Sequence, residues 1–453
     1  MVISFVCSRW RQNALSIPAI WSRISLYWDV REKAFDGNWE DEDMETVYPL
    51  SNFLNRSQQH PMVVDLDIAA GPFIYGRGLH PLLKQLVEQN VRWQSLSYYC
   101  EDYSFKDFLD CHDIPLASFP VLSRLCFPRS VMDEDLAPFI NAAPNLQSLN
   151  LTDALLIPQF PADYNEVEIQ NVFNKCSNLI SLGLAESTLY GDGVAPVTIP
   201  SSSKLEMLTV RHHECWENLR DFSDSVFPLL RLPSLKVLHL VSEKYGSGLT
   251  DNDNNILPLR WGDHDVLYDN ELETWSKLGP FLVFVQQSAF QLTTFSIQRL
   301  SISDANLVDI LVLLPTLQDL TVDDSGISPK HSPISSEFID SLHGCRTSSL
   351  RPQTAALVPR LRSLRLLNVA ATSFEDLSVV EMIQSRWSPA KLYAVGTSAF
   401  EVDCLRVFTL TFLNRQSSAG HVYSSLWSIG NRMMIVIQMC GTVTRRSGKT
   451  LWV

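Results

Sequence analysis

An α/β fold of helix–strand units, stacked as an irregular solenoid or horseshoe, is what this sequence predicts, and three observations predict it. An apolar triplet at i, i+3 and i+5 recurs along the 453 residues. Five copies carry proline two residues ahead of the first apolar position. An apolar helical stretch precedes several of those prolines, as in Leu136 to Ala142, Val226 to Leu230 and Leu307 to Leu314.

The triplets are Leu122-Leu125-Phe127, Leu146-Leu149-Leu151, Leu179-Leu182-Leu184, Leu205-Leu208-Val210 and Leu235-Leu238-Leu240. They continue as Leu292-Phe295-Ile297, Leu317-Leu320-Val322, Leu361-Leu364-Leu366 and Leu405-Phe408-Leu410, with Trp93-Leu96-Tyr98 as a degenerate first member. Roughly a dozen such triplets would arise by chance at this apolar content, so the context decides. Pro120, Pro144, Pro233, Pro315 and Pro359 mark a repeated junction: helix, proline stop, short turn, short strand. Proline lacks the N–H that a helix needs and restrains the residue before it, so the chain leaves the helix there. In the strand, alternate residues such as Leu149 and Leu151 face the core, and Leu146 packs at the turn leading in.

Spacings from Leu122 onward are 24, 33, 26, 30, 57, 25, 44 and 44 residues. Most fall near the period of leucine-rich repeats, and the longer gaps imply insertions. The ninth position, where asparagine forms a ladder in regular repeats, holds Ser130, Ala154, Ser187, His213 and Glu243. The expectation is therefore an irregular leucine-rich-repeat solenoid with helical convex faces. The competing reading is an ordinary α/β domain with leucine-rich strands, which would seldom repeat the same junction five times.

Composition sets limits. Hydrophobic residues are 45% and charged residues 19%, which is globular composition. The net charge of −14 repels phosphate backbones, so nucleic acid is a poor partner. The nine cysteines show no CxxC pair, which favours buried thiols in a reducing compartment over disulfides or zinc. No signal peptide and no apolar run of membrane-spanning length is seen, and no membrane partner is expected. The expected location is cytoplasmic or nuclear.

At the N-terminus, Val6, Trp10 and Ala14 share a helical face, Pro18 stops the helix, and Ile20-Trp21 follows. Asp36 to Glu45 carries six acids and no base, which reads as a solvated linker. Residues 241–275 interrupt the rhythm and read as a long surface insertion. Its Asp251, Asp253 and Asn255 fail the calcium-loop pattern, since Ile256 stands where glycine is needed. Trp261, Asp263, His264 and Asp265 within it are the candidate target-binding residues. His212-His213-Glu214-Cys215 offers ligand types without finger spacing and reads as a surface loop, so no metal and no cofactor is expected. From Asn414 onward the tail holds five basic residues and no acid. It reads as translation through a mispredicted exon, the other option being a capping strand. No nucleophile elbow, phosphate loop or zinc-protease helix is present, so the chain is not expected to be an enzyme.

The string Val6-Cys7-Ser8-Arg9-Trp10-Arg11, continued by Ala14-Leu15-Ser16 and Pro18-Ala19-Ile20-Trp21, resembles the second half of the F-box found in F-box-like families of mushroom-forming fungi. Later segments are similar to those families too: Phe53 to Ser57 leading into Pro61 to Val64, His80 to Tyr98, Leu357 to Leu366, and Met382 to Trp387. The resemblance covers most of residues 1–412, and its N-terminal motif is the specific part. It implies F-box helices followed by a leucine-rich solenoid, acting as substrate receptor of an SCF-type ubiquitin ligase. A Skp-type adaptor, a cullin and a protein target are the implied partners. By resemblance, Val6, Cys7, Trp10, Leu15, Pro18 and Trp21 form the adaptor-binding segment. An F-box opens with a Leu-Pro helix and none precedes Val6, so either the start lies upstream or adaptor binding is lost. The alternative is a leucine-rich-repeat binding scaffold without a ligase. The resulting organisation is a partial F-box over 1–28, an acidic linker over 29–45, a solenoid over 46–412 and an atypical tail over 413–453.

Overall fold

The computed structural model describes residues 8–29, 43–69, 81–100, 118–127, 133–151, 169–185, 204–214, 227, 230–244, 275, 278–327, 329–344, 356–370, 373–387, 402–413, 422–423, 426 and 434–440. The chain divides into two compact units, Met1–Glu206 and Met207–Val453. Thirteen strands follow one another in chain order, and every described pairing within each unit is parallel.

In the first unit, helices α1 (Ser8–Ser16) and α2 (Pro18–Trp21) run into β1 (Arg23–Asp29). Then come α3 (Asp43–Ser57), β2 (Met62–Ala69), α4 (Pro81–Val87), a 3₁₀ turn at Asn90–Arg92 and β3 (Trp93–Cys100). β4 (Arg124–Cys126), α5 (Asp133–Ala142), β5 (Ser148–Leu151), α6 (Ile169–Lys175) and β6 (Ser181–Ala185) complete it. Its aromatic core links Trp93 to Phe119 at 5.9 Å and Phe119 to Phe139 at 5.0 Å between ring centroids.

The second unit begins with β7 (Met207–Glu214) and β8 (Val237–Lys244). α7 (Gly279–Ser288), β9 (Thr294–Gln298), α8 (Asp304–Val312), β10 (Asp319–Asp323) and α9 (Ser336–Ser341) follow. β11 (Ser363–Ala370), α10 (Asp376–Trp387), β12 (Val407–Leu413) and β13 (Met434–Cys440) end the described chain. The inner row Leu208, Leu238, Phe295, Leu320, Leu364, Phe408 and Ile435 runs in register across all seven strands. Phe227 lies 4.9 Å from Phe281 and 5.3 Å from Phe284, the centre of a ring cluster that includes buried Trp275.

Every residue of the ten triplets is buried, and each triplet marks one of the strands β3 to β12, its leading residue in most cases in the turn just before. The five proline junctions share one hydrogen bond: the leucine N–H donates to the carbonyl three residues back. The acceptors are Phe119, Ala143, Leu232, Leu314 and Val358, at 3.1–3.2 Å. Proline thus occupies the second position of a β-turn, where its ring pre-sets φ. The turn then delivers the leucine inward and the next residues into the parallel ladder.

The expected horseshoe solenoid with a short helical F-box remnant is overturned. The chain forms an α/β fold of parallel strands in consecutive order, with ten α-helices among the described residues, and its N-terminal helices lead straight into the first strand. The physical reason lies in what the junction encodes. A proline turn after a helix specifies a handover to a parallel strand, and any consecutive parallel sheet with helical crossovers satisfies it. It specifies neither curvature nor equal units, and the strands here range from three to eight residues. Trp21-Ile24-Leu26 also fits the triplet spacing and feeds β1, which places the N-terminal segment within the first unit.

Other expectations meet the structure locally. His212, His213 and Glu214 lie in strand β7 rather than in a loop, because their backbone continues the parallel ladder onto Ser242, Glu243 and Lys244 of β8; Cys215 is outside the described residues. The expected insertion at 241–275 begins inside β8, and Trp275 at its far end is buried. The tail's apolar run forms β13, paired in parallel with β12. Of the acidic run, residues 36–42 lie outside the described residues and Asp43 opens α3.

Candidate functional site

The corner between α1 and α2 combines a fixed anchor with exposed apolar residues. Ile17 is the N-cap of α2 in extended conformation and Pro18 takes the first helical position, where a missing N–H costs nothing. The Ile20 N–H donates to the Ile17 carbonyl at 3.2 Å, and the Ser22 hydroxyl donates to Ala19 at 2.9 Å. Trp21 is 3% exposed, and its Nε1 donates to the Ala14 carbonyl at 2.6 Å. Its ring meets Phe53 edge-on at 5.1 Å, and the Arg56 guanidinium lies 4.5 Å from its centroid. A cation over an indole contributes about 0.5–2 kcal/mol. The corner is therefore held from α3 as well as from its own backbone.

Around that anchor, Leu15, Ile17 and Ile20 are 38%, 45% and 48% exposed. Single exposed apolar residues are common, but three within six positions of one rigid corner form a patch suited to a partner. Of the residues assigned to adaptor binding by resemblance, Leu15 is exposed and Pro18 half-buried, whereas Trp21 is inside. Trp10 is on α1, and Val6 and Cys7 lie outside the described residues. Ile17 and Ile20 belong to the patch and were not singled out by the motif. The signal that could have found them is their position on either side of a helix-starting proline.

The candidate target-binding residues Trp261, Asp263, His264 and Asp265 lie outside the described residues.

A second polar assembly sits at the carboxyl ends of β10 to β12, the end where parallel α/β sheets usually hold ligands. Asn368, at φ 55°, sits where the β11 register shifts. Its Nδ2 donates to Asp323 Oδ1 at 2.9 Å and to Ser325 Oγ at 2.7 Å, and its backbone N–H donates to Thr411 Oγ1 at 2.8 Å. Asp324 is 3% exposed and accepts from the Ser332 hydroxyl. Its carboxyl is pushed up to about 7, chiefly by burial, with the Ser332 hydroxyl pulling it down and neighbouring Asp323 adding to the rise. Asn368 ties the ends of β10, β11 and β12 to one another, so the assembly reads as a lock on the strand ends. Among the described residues no group of three or more His, Cys, Asp or Glu could hold a metal ion.

Cys176 is buried, and burial pushes its thiol up to about 11, which makes it unreactive. Cys404 is exposed, unlike the buried thiols that composition suggests. Among the described residues no helix is long and apolar enough to cross a membrane. No protein-family model matches the chain, and no curated protein matches it significantly.

Proposed function

We propose that this chain is a substrate-recognition subunit of an SCF-type ubiquitin ligase, acting in the cytoplasm or nucleus by binding and without chemistry of its own. The N-terminal corner docks a Skp-type adaptor, which joins it to a cullin, and the strand faces select a protein target. The observation that carries the reading is the exposure of Leu15, Ile17 and Ile20 beside a buried, hydrogen-bonded Trp21. A pre-ordered apolar patch binds without the entropy cost of ordering it first. The resemblance of residues 6–21 to an F-box supplies the class of partner.

Co-purification of the full chain with a recombinant Skp adaptor tests this. Wild type should retain the adaptor, and Leu15→Asp with Ile20→Asp should release it while leaving the melting temperature unchanged. Equal retention by both would remove the corner from the reading.

One observation favours a second reading, a binding scaffold with no ligase. Trp21, one of the two tryptophans of the F-box resemblance within the described residues, is used up in internal packing. Absence of the adaptor from the wild-type preparation would support the scaffold.

A further inference from the structure

Alternate residues of β1, β2 and β3 face away from the core, and the strand registers gather six of them into two rows. Ser25, Asp65 and Ser97 make one row, and Tyr27, Asp67 and Tyr99 the next. Neighbouring strands lie about 4.8 Å apart and alternate residues about 6.6 Å apart along a strand. The two carboxylates thus stand side by side, with a tyrosine on the strand to either side of Asp67. Tyr27 is 71% exposed, the most exposed large apolar residue of the described chain. The Ser25 hydroxyl donates to Asp65 Oδ2 at 3.1 Å, so one oxygen is oriented from the neighbouring strand β1.

This arrangement does not continue across the face. On β4 to β6 the outward residues are Arg124, Cys126, Ser148, Asn150, Ser181 and Gly183, none of them acidic or aromatic. Arg23 and Arg124 lie in the row nearest the amino ends. Among the described outward residues of β1 to β6, negative charge and aromatic surface therefore coincide at the carboxyl half of β1 to β3.

We infer that this grid is a docking site for an arginine-bearing segment of a partner protein. A guanidinium pairs its planar fork with carboxylates and also stacks on phenol rings, so aspartates flanked by tyrosines meet both preferences at once. Lysine satisfies the charge but not the fork or the stacking. Tyrosine adds contact area at low entropic cost. The net charge of −14 steers a basic segment toward the chain, and the grid decides where it stays. The inference rests on the recognition reading for its biological sense and supplies that reading's missing partner class. It makes no use of the adaptor.

Fluorescence anisotropy of the full chain with a short labelled Gly/Ser peptide carrying arginines tests it. Counterpart peptides carry lysine, glutamine or glutamate in the same places. The arginine peptide should bind best, and Tyr27→Ala and Asp67→Asn should each weaken it about tenfold, equivalent to about 1.4 kcal/mol. Asp309→Asn, the same charge change at an exposed position of α8, should leave affinity within about twofold. Melting temperatures of the variants monitor folding. Equal weakening by Asp309→Asn and Asp67→Asn would reduce the effect to the overall field and overturn the site. So would no loss with Tyr27→Ala, no binding at all, or equal binding of arginine and glutamate peptides. Because the probe bypasses the adaptor, peptide binding without adaptor retention would remove the ligase link and leave the docking site standing.

Discussion

The two units are packed by the same rule and differ in where they place polar groups. In both, helices hand over to parallel strands through the same proline turn, and triplet side chains fill the core. The second unit turns its polar groups inward. Asp324 is buried, Asn368 bridges Asp323 and Ser325, and Arg386 at 0% exposure donates to the carbonyls of Leu342, Leu357 and Val358. The first unit places Asp65, Asp67, Tyr27 and Tyr99 outward. Its own buried arginine, Arg92, is held by the Ser57 and Gln89 side chains as well as the His60 carbonyl. The contrast teaches that one packing pattern can carry two jobs: internal locking in one unit and outward recognition in the other.

Breaking the lock should have the largest effect. Arg386→Leu would strand the buried carbonyls of Leu342 and Leu357 at about 1–3 kcal/mol each, while Val358 keeps the Leu361 N–H, and a loss of about 4 kcal/mol is expected in chemical denaturation. Arg92→Leu should cost about half as much, because Gln89 is half-buried and can turn to water. Equal losses would erase the contrast between the units.

Trp21→Ala comes next. It empties a buried site beside Phe53, and a loss of about 3 kcal/mol in thermal unfolding is expected.

Asp324 sharpens the comparison through pH. Its folded pKa of about 7 lies above the ordinary value near 3.9, so between those limits the folded state binds a proton that the unfolded state releases. Its contribution is fully present below about pH 4 and is lost as pH rises through about 7. Asp324→Asn, which keeps an acceptor for Ser332, should stabilise the protein by about 2 kcal/mol at pH 8 and by little at pH 4. A pH-independent difference would count against the buried carboxylate.

The smallest effect belongs to the shared turn. Pro315→Ala should cost under about 1 kcal/mol, through a freer unfolded chain, and the matching Pro144→Ala in the first unit should cost the same. A larger loss at one of them would show that the junctions are not equivalent.

Much of the fold was legible because burial at i, i+3 and i+5 is a local requirement of a turn followed by a strand. All ten triplets mark strands for that reason. β2 escaped because Pro61 stands where the leading apolar residue would be, and β1 because Trp21 matched the F-box string first. The horseshoe expectation fails because the local spacing encodes only a turn followed by a parallel strand. The candidate sites were less legible. Tyr27, Asp67 and Tyr99 come from strands separated by 40 and 32 residues, and only the register makes them neighbours. Leu15, Ile17 and Ile20 look like core residues until Trp21 is seen to take the interior place beside them.

Strand order has a consequence for biosynthesis. Within each unit every strand pairs with the strand just before and just after it in the chain. No pairing there waits for a distant segment, so a chain leaving the ribosome can add one strand at a time to a growing edge. Each newly exposed edge is covered as soon as the next crossover emerges, which shortens the interval in which a nascent sheet could join with another chain's.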